Sequence, residues 1–409
     1  MVEKPAVLLI FALTYLGLAA GRVPGLKLDR TGIAMLGAIA IMIFSGEPPT
    51  EVVGYIHWPT ILLLFGFFVL SAQLRLSGFF DAVAVAIARR LDRPARFLLV
   101  LMLATAGLSA FMNHDIICLV FAPIVAAALL RRSIDPVPFL VALAIASNIG
   151  AAATLVGNPQ DMMIAQIGGL DFGQYSLWCI APVLFALGCA YAIIWTMSRP
   201  RLATPGTASP VSVEALHPYD RPHTLKGLII LGIVVGLFFT PLPKELVALT
   251  AAAIHLASPK YRTEELLKLV DWPILVLFMS LFVVTGAFEA TDYGNKAVLW
   301  LEQQSLHLDT PWILVLVTAT LSNLVNNSAA VMLLLKVADV AQPPAAYVLA
   351  LANSFGGSLI IVGSVSNIIV VQQARELGIS ISFKEFARLG VPVTVAALIG
   401  LVGWVTVMI

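Results

Sequence analysis

The stretch "ASNIGAAATLVGNPQD", Ala146 to Asp161, decides how this chain folds. It interrupts a long apolar run with amides, hydroxyls, glycines and a proline, and it carries no charge before its last residue. Proline lacks a backbone donor and clashes with the preceding turn of a helix. The stretch therefore predicts a broken helix, with Gly150, Gly157 and Pro159 as the expected points of interruption.

The surrounding composition is that of a polytopic membrane protein. Of 409 residues, 60% are hydrophobic and 11% are charged, whereas soluble domains are about 25% charged. The net charge of +1 comes without a basic cluster, which argues against a nucleic-acid partner. No Walker A, GxSxG, HExxH or dinucleotide-binding motif occurs in the sequence. We therefore expect neither an enzyme nor a cofactor, and an ion gradient rather than ATP should supply the energy.

Apolar runs predict ten membrane spans, because a helix needs about 20 residues to cross a bilayer. They fall near 5–20, 31–46, 59–77, 136–166 and 175–197, and then near 225–241, 245–257, 273–290, 344–373 and 391–409. Between the third and fourth span of each set lie two short apolar arms around a polar tip. The arms are 97–112 and 116–130 around "NHD", and 311–325 and 329–335 around "NNS". Arms this short predict re-entrant hairpins whose tips lie near the middle of the membrane.

Charged residues predict which side of the membrane each loop faces. Arginines between 89 and 96, together with Arg131 and Arg132, place both ends of the first hairpin in the cytoplasm. The same rule places the basic loops at 22–30, 199–226, 260–268 and 375–388 inside. The acidic loop 289–309 and both chain termini are predicted outside.

The two sets of spans resemble each other in sequence. "HWPTILLLFGFFVLSAQL" from His57 pairs with "DWPILVLFMSLFVVTGAF" from Asp271, and "ASNIGAAATLVG" from Ala146 pairs with "ANSFGGSLIIVG" from Ala352. Five crossings are an odd number, so the second copy is inverted, as in secondary transporters. We predict a first repeat at 1–198 with a cytoplasmic hairpin at 95–132, a cytoplasmic linker at 199–224, and a second repeat at 225–409 with an outer hairpin at 309–337.

The hairpin tips and the broken helices together predict one binding site. Unwound backbone is tolerated in a membrane only where it is buried in protein or lines a cavity. Freed helix N-termini attract anions, while carbonyl and amide oxygens coordinate Na⁺. The candidate residues of the first half are Asn113, His114, Asp115, Ser147, Asn148, Gly150, Thr154, Gly157, Asn158, Gln160 and Asp161. Those of the second half are Asn326, Asn327, Ser328, Asn353, Ser354, Gly356, Gly357, Ser358, Gly363, Ser364, Ser366 and Asn367.

Asp115 and Asp161 are the only acidic residues of this predicted site. A carboxylate in hydrocarbon must be paired, protonated or bound to a cation, so we expect Asp115 to bind a coupling cation or a proton. Na⁺ would lie among Asp115, Asn148, Asn327 and Ser354. Three alternatives stay open: single hydroxyls could serve only helix packing, His114 could be a structural histidine of the tip, and Asp161 could lie near the aqueous surface.

At these residues the sequence resembles the ion-transporter superfamily of arsenite permeases, NhaD-type Na⁺/H⁺ antiporters and divalent anion/Na⁺ symporters. "SNIGAAATLVGNPQD" is similar to the family's Gly-rich stretch followed by a Pro-containing turn, and "LSAFMNHDIICLVFAPIV" to its hairpin. The resemblance implies an all-α inverted repeat in a prokaryotic cytoplasmic membrane, usually a homodimer, in which hairpins and broken helices move like an elevator. The tips Asn113 to Asp115 and Asn326 to Ser328 depart from the Ser-Asn-Thr of dicarboxylate symporters, which favours the arsenite-permease side.

The sequence thus predicts a secondary active transporter of a small anion or oxyanion, coupled to Na⁺ or H⁺ and surrounded by membrane lipid. An alternative is a Na⁺/H⁺ antiporter of the NhaD type that uses Asp115 and Asp161 as exchange carboxylates. A third class, a membrane scaffold or enzyme, leaves the paired broken helices unexplained.

Overall fold

The computed structural model describes residues 4–21, 25, 27–89, 93–202, 217–291, 310–337 and 343–408, with single positions 293, 296, 299, 303, 307 and 308. Within these ranges the chain is helical and contains no strand. The first half forms α1 Lys4–Ala20, α2 Arg30–Phe44, α3 Pro49–Gly54, α4 Trp58–Leu76, α5 Phe79–Ala88, α6 Pro94–Ser109, α7 His114–Arg131, α8 Val137–Ala151, α9 Pro159–Gly168 and α10 Phe172–Leu202. The second half forms α11 Arg221–Leu237, α12 Lys244–Leu256, α13 Thr263–Lys268, α14 Trp272–Glu289, α15 Pro311–Val325, α16 Asn327–Val337, α17 Pro343–Gly356, α18 Val365–Glu376 and α19 Phe383–Met408.

Five of these helices are long and apolar enough to cross a membrane: α4, α7, α10, α14 and α19. Several other predicted spans and hairpin arms form shorter apolar helices of 10–17 residues. The prediction that both arms of the first hairpin are short is wrong for the second arm. This arm, α7, has 18 residues because it starts at the polar tip residue His114 and continues through Arg131.

The helices pack in two groups, each with members from both halves. In the first group, α2 packs against α1 and α14, and α4 packs against α12 and α11. In the second group, α6 packs against α8, α10 against α19, α15 against α17, and α7 against α18. The second group contains both hairpins and both broken helices, so the polar segments of the two halves lie in one body.

Helix α5 is an element that the hydrophobic runs did not predict. It connects α4 to α6 and packs against α7, with Phe80 and Asp81 buried. Gly78 separates α4 from α5 with φ +69, a value that glycine adopts without strain. A Cβ atom at Gly78 would lie 2.7 Å from the carbonyl oxygen of Pro218, so the end of the linker between the halves rests on this turn.

The predicted linker 199–224 is shorter in the structure. Helix α10 continues to Leu202 and α11 begins at Arg221, while 203–216 lie outside the described residues. The linker's end is attached to the first half, since the Asp220 N–H donates to the Ser77 carbonyl at 2.9 Å. Arg22, Arg90 and most of the acidic loop 289–309 also fall outside the described residues.

Candidate functional site

A cavity of about 40 Å³ lies where the two hairpin tips meet the second halves of the two broken helices. A bound water needs about 10–15 Å³ of such volume, so the cavity holds a few waters or a small ion. Its walls are formed by Arg30, His114, Asp115, Pro159, Gln160, Ile274, Leu277, Asn326, Asn327, Ser328, Gly363, Ser364 and Val365. Both halves of the chain therefore contribute to one site.

The first hairpin turns at Asn113, whose side chain caps α7. Its Oδ1 accepts from the Asp115 N–H at 2.9 Å, which satisfies one of the free donors at the start of the helix. This cap brings His114 and Asp115 to the cavity. The Asp115 carboxylate accepts a hydrogen bond from Ser366 Oγ at 2.5 Å and lies 3.7 Å from His114 Nε2.

The second hairpin turns at Asn326, which adopts φ +101. With ψ 158 this conformation lies outside the left-handed helical region and in one that is adopted almost only by glycine, so the hairpin turn holds Asn326 under backbone strain. Its Oδ1 accepts from the Ala329 N–H at 3.0 Å, and α16 starts at the next residue, Asn327. Ser328 then reaches the first half, because its Oγ accepts from Gln160 Nε2 at 2.7 Å.

The first broken helix is interrupted between α8 and α9, as predicted. Gly157 lies in the interruption and Pro159 directly after it, whereas Gly150 does not. Pro159 is the first residue of α9, where a proline is favourable, and Asn158 caps it by accepting from the Asp161 N–H at 2.7 Å. Gly150 lies inside α8, where a Cβ atom would come within 2.6 Å of the Ala106 backbone. Gly150 thus permits close packing rather than a break, and the unwound segment is 152–158.

The second broken helix is interrupted between α17 and α18 by a single 3₁₀ turn, Ile361–Gly363. Asn367 holds this break by donating from Nδ2 to the carbonyl oxygens of Gly357 at 2.7 Å and Ile360 at 2.9 Å. Gly357 and Gly363 leave room for amides of the second hairpin. A Cβ atom would lie 3.0 Å from Asn327 Nδ2 at the first glycine and 2.4 Å from Asn323 Oδ1 at the second.

Buried polar side chains bond the two broken helices to each other. Asn148 Nδ2 donates to Asn367 Oδ1 at 2.9 Å, and Ser364 Oγ donates to Asn148 Oδ1 at 2.8 Å. Asn158 Nδ2 donates to Ser354 Oγ at 3.1 Å. Buried amides in such a network satisfy each other and specify one arrangement of the segments. Ser364 lines the cavity, and the other side chains of this network form a layer behind it that holds the unwound segments together.

The structure separates the predicted site residues by position. Those that line the cavity are His114, Asp115, Gln160, Asn326, Asn327, Ser328, Gly363 and Ser364. Those that lie outside its walls are Asn113, Ser147, Asn148, Gly150, Thr154, Gly157, Asn158, Asp161, Asn353, Ser354, Gly356, Gly357, Ser358, Ser366 and Asn367. Most of the second set serve the backbone or each other, as with the Thr154 hydroxyl, which bonds to the Ala110 carbonyl.

Asp161 is fully buried outside the cavity, which contradicts the expectation that it could lie near the aqueous surface. Its Oδ2 accepts from Asn158 Nδ2 at 2.6 Å, and its Oδ1 has no partner. The Na⁺ residues suggested by the sequence are also divided. Asp115 and Asn327 line the cavity, whereas Asn148 and Ser354 are hydrogen-bonded in the layer behind it.

Five residues line the cavity that were not among the predicted site residues: Arg30, Pro159, Ile274, Leu277 and Val365. Pro159 and Val365 lie within the two predicted broken stretches, whereas Arg30, Ile274 and Leu277 lie outside them. Arg30 begins α2, and Ile274 and Leu277 lie in the first two turns of α14. These helix ends are adjacent, since Thr31 Oγ1 donates to the Pro273 carbonyl at 3.4 Å. Arg30 belongs to the positive charges of loop 22–30, which indicated only the side of the membrane, and nothing in the local sequence placed it at the cavity.

Four helix N-termini of the hairpins and broken helices converge on the cavity, in addition to the start of α2 at Arg30. The first residues of α7, α9, α16 and α18 are His114, Pro159, Asn327 and Val365, and each lines the cavity wall. Each helix start has N–H groups without a partner inside the helix and carries roughly half a positive charge. Asn113, Asn158 and Asn326 each cap one of these N–H groups. The backbone thus provides a positive electrostatic potential at a site whose described side chains include one carboxylate, Asp115, and one guanidinium, Arg30.

Asp271, the residue before α14, lies next to this wall. Its Oδ1 accepts from the N–H of the cavity residue Ile274 at 3.1 Å. Partial burial and, secondly, the negative charge of Asp115 raise the pKa of Asp271 to about 6. Because the pKa of this carboxyl is higher in the folded than in the unfolded protein, its protonation stabilises the folded state. This contribution is complete below about pH 4 and is lost as the pH rises through about 6.

Asp271→Asn should therefore raise thermal stability at neutral pH and have little effect at acidic pH. The expected gain at pH 7.5 is on the order of 2 kcal/mol, because asparagine is uncharged and caps a helix as well as aspartate does. Melting temperatures of the purified protein at pH 4.5 and pH 7.5 measure the effect. Asp29→Asn is the matched control, since Asp29 caps α2 by accepting from Gly32 N–H at 2.8 Å but is exposed. An Asp271 difference that does not grow with pH would contradict this assignment.

The hairpins, broken helices and converging helix starts define a membrane transporter. A family model described as "Citrate transporter" (CitMHS) matches residues 6–347. The chain belongs to this citrate transporter family and is a secondary transporter, not an enzyme.

Relatives and a solved structure agree with this assignment. The 46 kDa membrane protein of Mycobacterium leprae is 31% identical over 98% of each chain. A Mycobacterium tuberculosis protein described as an uncharacterized transporter is 29% identical over 95% of each chain. The crystal structure of the Alcanivorax borkumensis YdaH transporter has the same fold, with a TM-score of 0.65 and 17% identity over 98% of each chain. The predicted superfamily is confirmed.

Proposed function

We propose that this protein transports a small anion or oxyanion across the cytoplasmic membrane and couples the movement to Na⁺ or H⁺. The observation that carries the proposal is the convergence of four helix N-termini on one cavity. Free N–H groups at a helix start bind anions directly, and the helix dipole favours negative charge there. Asn326, Asn327 and Gln160 add uncharged side chains that can hydrogen-bond an oxyanion.

Asp115 supports the coupling part of the proposal. A carboxylate in an anion-binding cavity repels the anion unless a cation or proton neutralises it. Asp115 already accepts one hydrogen bond from Ser366, which leaves its remaining lone pairs for a bound ion. The amide of Asn327, on the same cavity wall, supplies an uncharged oxygen of the kind that hard cations prefer. We assign the coupling ion, Na⁺ or H⁺, to Asp115.

The volume of the cavity favours a small substrate. The family is described by citrate, but a cavity of about 40 Å³ has room for only a few waters in this conformation. A small oxyanion fits without rearrangement, whereas citrate requires the cavity to widen. The two hairpin tips lack the Ser-Asn-Thr sequence of dicarboxylate symporters, which also supports a small substrate.

The arrangement of the helices is consistent with an inverted repeat that works by an elevator motion. The first repeat would comprise 1–198 and the second 225–409. The second packing group, with both hairpins and both broken helices, would move against the first packing group. The cavity is lined by the starts of α2 and α14, two ends that the positive-inside rule places in the cytoplasm. The structure would then represent an inward-facing state with both termini outside.

Exposed apolar side chains on α11 and α12 are consistent with the proposed homodimer in a lipid bilayer. Ile233, Leu246 and Ile254 border a groove that is lined almost entirely by apolar residues. A second copy or lipid would cover this surface in the membrane.

Transport in proteoliposomes tests the function. We expect purified protein to accumulate at least one of succinate, citrate, sulfate, phosphate and arsenite when a Na⁺ or pH gradient is imposed, and protein-free liposomes to accumulate none. If no anion moves and Na⁺ addition alone changes the internal pH, the protein is a Na⁺/H⁺ antiporter. The antiporter remains the second candidate because Asp115 lies in the cavity, but Asp161, its other proposed exchange carboxylate, lies outside the cavity walls.

A further inference from the structure

Arg30 is the one guanidinium that reaches the cavity among the residues that the structure describes. It is the first residue of α2 and lines the same wall as Asp115 and Ser328. The hairpins and broken helices supply every other polar side chain of the wall. Arg30 comes from the first packing group instead, and only the packing of α2 brings it beside the hairpin tips.

Local contacts hold Arg30 at this position. Asp29 caps α2 through its bond to the Gly32 N–H at 2.8 Å, which sets where the helix starts. The neighbouring Thr31 donates to the Pro273 carbonyl at 3.4 Å, so the start of α2 is attached to the start of α14. Since α2 also packs along α14, the backbone that carries Arg30 is held independently of the hairpins.

Among the described residues, no acidic side chain pairs with Arg30. Within the described part of the chain, the ion pairs involve other cations, and no carboxylate lies within 4.0 Å of the Arg30 guanidinium. The other charged cavity residue, Asp115, is bonded to Ser366. A half-buried guanidinium that has no carboxylate partner in the described part of the chain and that lines a cavity with several helix N-termini is suited to an anion with two or more oxygens.

We propose that Arg30 is an anion-binding residue of the transport site, which contacts the substrate only while the cavity faces the cytoplasm. The inference rests on the proposed function and deepens it in two ways. Arg30 selects oxyanions that are charged at neutral pH, such as carboxylates, phosphate and sulfate, over uncharged acids. It also makes binding on the two sides of the membrane unequal, since a hairpin that moves away leaves Arg30 behind with α2.

The test measures transport by the Arg30→Gln variant separately from each side of the membrane. Proteoliposomes are sorted by the accessibility of a C-terminal tag, and the KM for succinate, sulfate and phosphate is measured with each face outward. We expect Arg30→Gln to raise the KM at the cytoplasmic face about tenfold or more, because a hydrogen bond to a charged group is lost. The KM at the outer face should stay within about twofold. The cytoplasmic KM of Arg30→Lys should lie between those of the wild type and Arg30→Gln, since lysine keeps the positive charge but cannot donate two parallel hydrogen bonds to one oxyanion.

Lys27→Gln is the matched control. Lys27 is an exposed cation of the same loop, three residues before Arg30, and it does not line the cavity. It should leave both KM values unchanged, and gel filtration should show that every variant is monodisperse. If the wild type moves an anion and Arg30→Gln keeps its cytoplasmic KM, or raises both KM values equally, the inference about Arg30 is overturned while the proposed function stands. If the wild type moves none of the three anions, the proposed function fails for charged oxyanions and the inference fails with it.

Discussion

Asp115→Asn should leave a folded protein that still exchanges its anion but no longer accumulates it against a gradient. Asp115 is the cavity's carboxylate, and its partner Ser366 and neighbour His114 are retained in the variant. Removing one partner of a buried charge pair costs roughly 2–5 kcal/mol. Since about 1.4 kcal/mol is a factor of ten in binding, gradient-driven accumulation should fall by about two orders of magnitude.

The measurement compares two assays on the same proteoliposomes. Accumulation under an imposed Na⁺ or pH gradient reports coupling, whereas counterflow without a gradient reports anion binding and movement. Asp171→Asn is the matched control, because Asp171 is exposed and caps a helix by accepting from Gln174 N–H at 2.8 Å. If the Asp115→Asn variant accumulates the anion to the wild-type level, Asp115 is not the coupling site.

Gly157→Ala should distort the unwound segment of the first broken helix. A Cβ atom at Gly157 would lie 2.1 Å from the Ala151 carbonyl oxygen and 2.6 Å from the Ser109 carbonyl oxygen. Both contacts are with backbone, so no side-chain rotation relieves them. We expect a loss of at least about 3 kcal/mol in stability and transport below a tenth of the wild-type rate.

Gly107→Ala provides the control in the neighbouring hairpin arm. Gly107 lies inside α6, and a Cβ atom there would meet nothing within 4 Å. This variant should be neutral or more stable by about 0.5–1 kcal/mol, because alanine favours helix over glycine. Melting temperatures and initial transport rates of both variants decide the matter. A Gly157→Ala protein that melts like Gly107→Ala would show that the unwound segment is not tightly packed.

Much of the fold could be predicted because breaks in apolar helices have a compositional signature. Glycines, amides and prolines at 146–161 and 353–367 placed both interruptions, and the "NHD" and "NNS" tips placed both hairpin turns. The exact position of the first break was harder to predict, since a proline such as Pro159 can either end one helix or begin the next. Helix α5 was missed because its ten residues are too few to be distinguished from a loop by length.

The sequence predicted which types of residue form the candidate site, but not which individual residues line the cavity. Amides and hydroxyls can face a ligand or satisfy backbone, and the sequence does not separate the two uses. Asn327 lines the cavity while Asn367 bonds to carbonyls behind it, although both lie in polar segments of the second half. Arg30 was missed for a different reason. It reaches the cavity only through the packing of α2 on α14, a tertiary contact without a local signal.

The converging helix starts have a consequence for how this family can change its substrate. Main-chain N–H groups do not titrate, and no substitution other than proline removes them. Attraction for a negative ion therefore survives while residues at the tips, such as Asn327 and Ser328, are exchanged. On the proposed function, substrate selectivity and recognition of negative charge are then separate properties of the site, and a point mutation at the tips can alter the first while the second is kept.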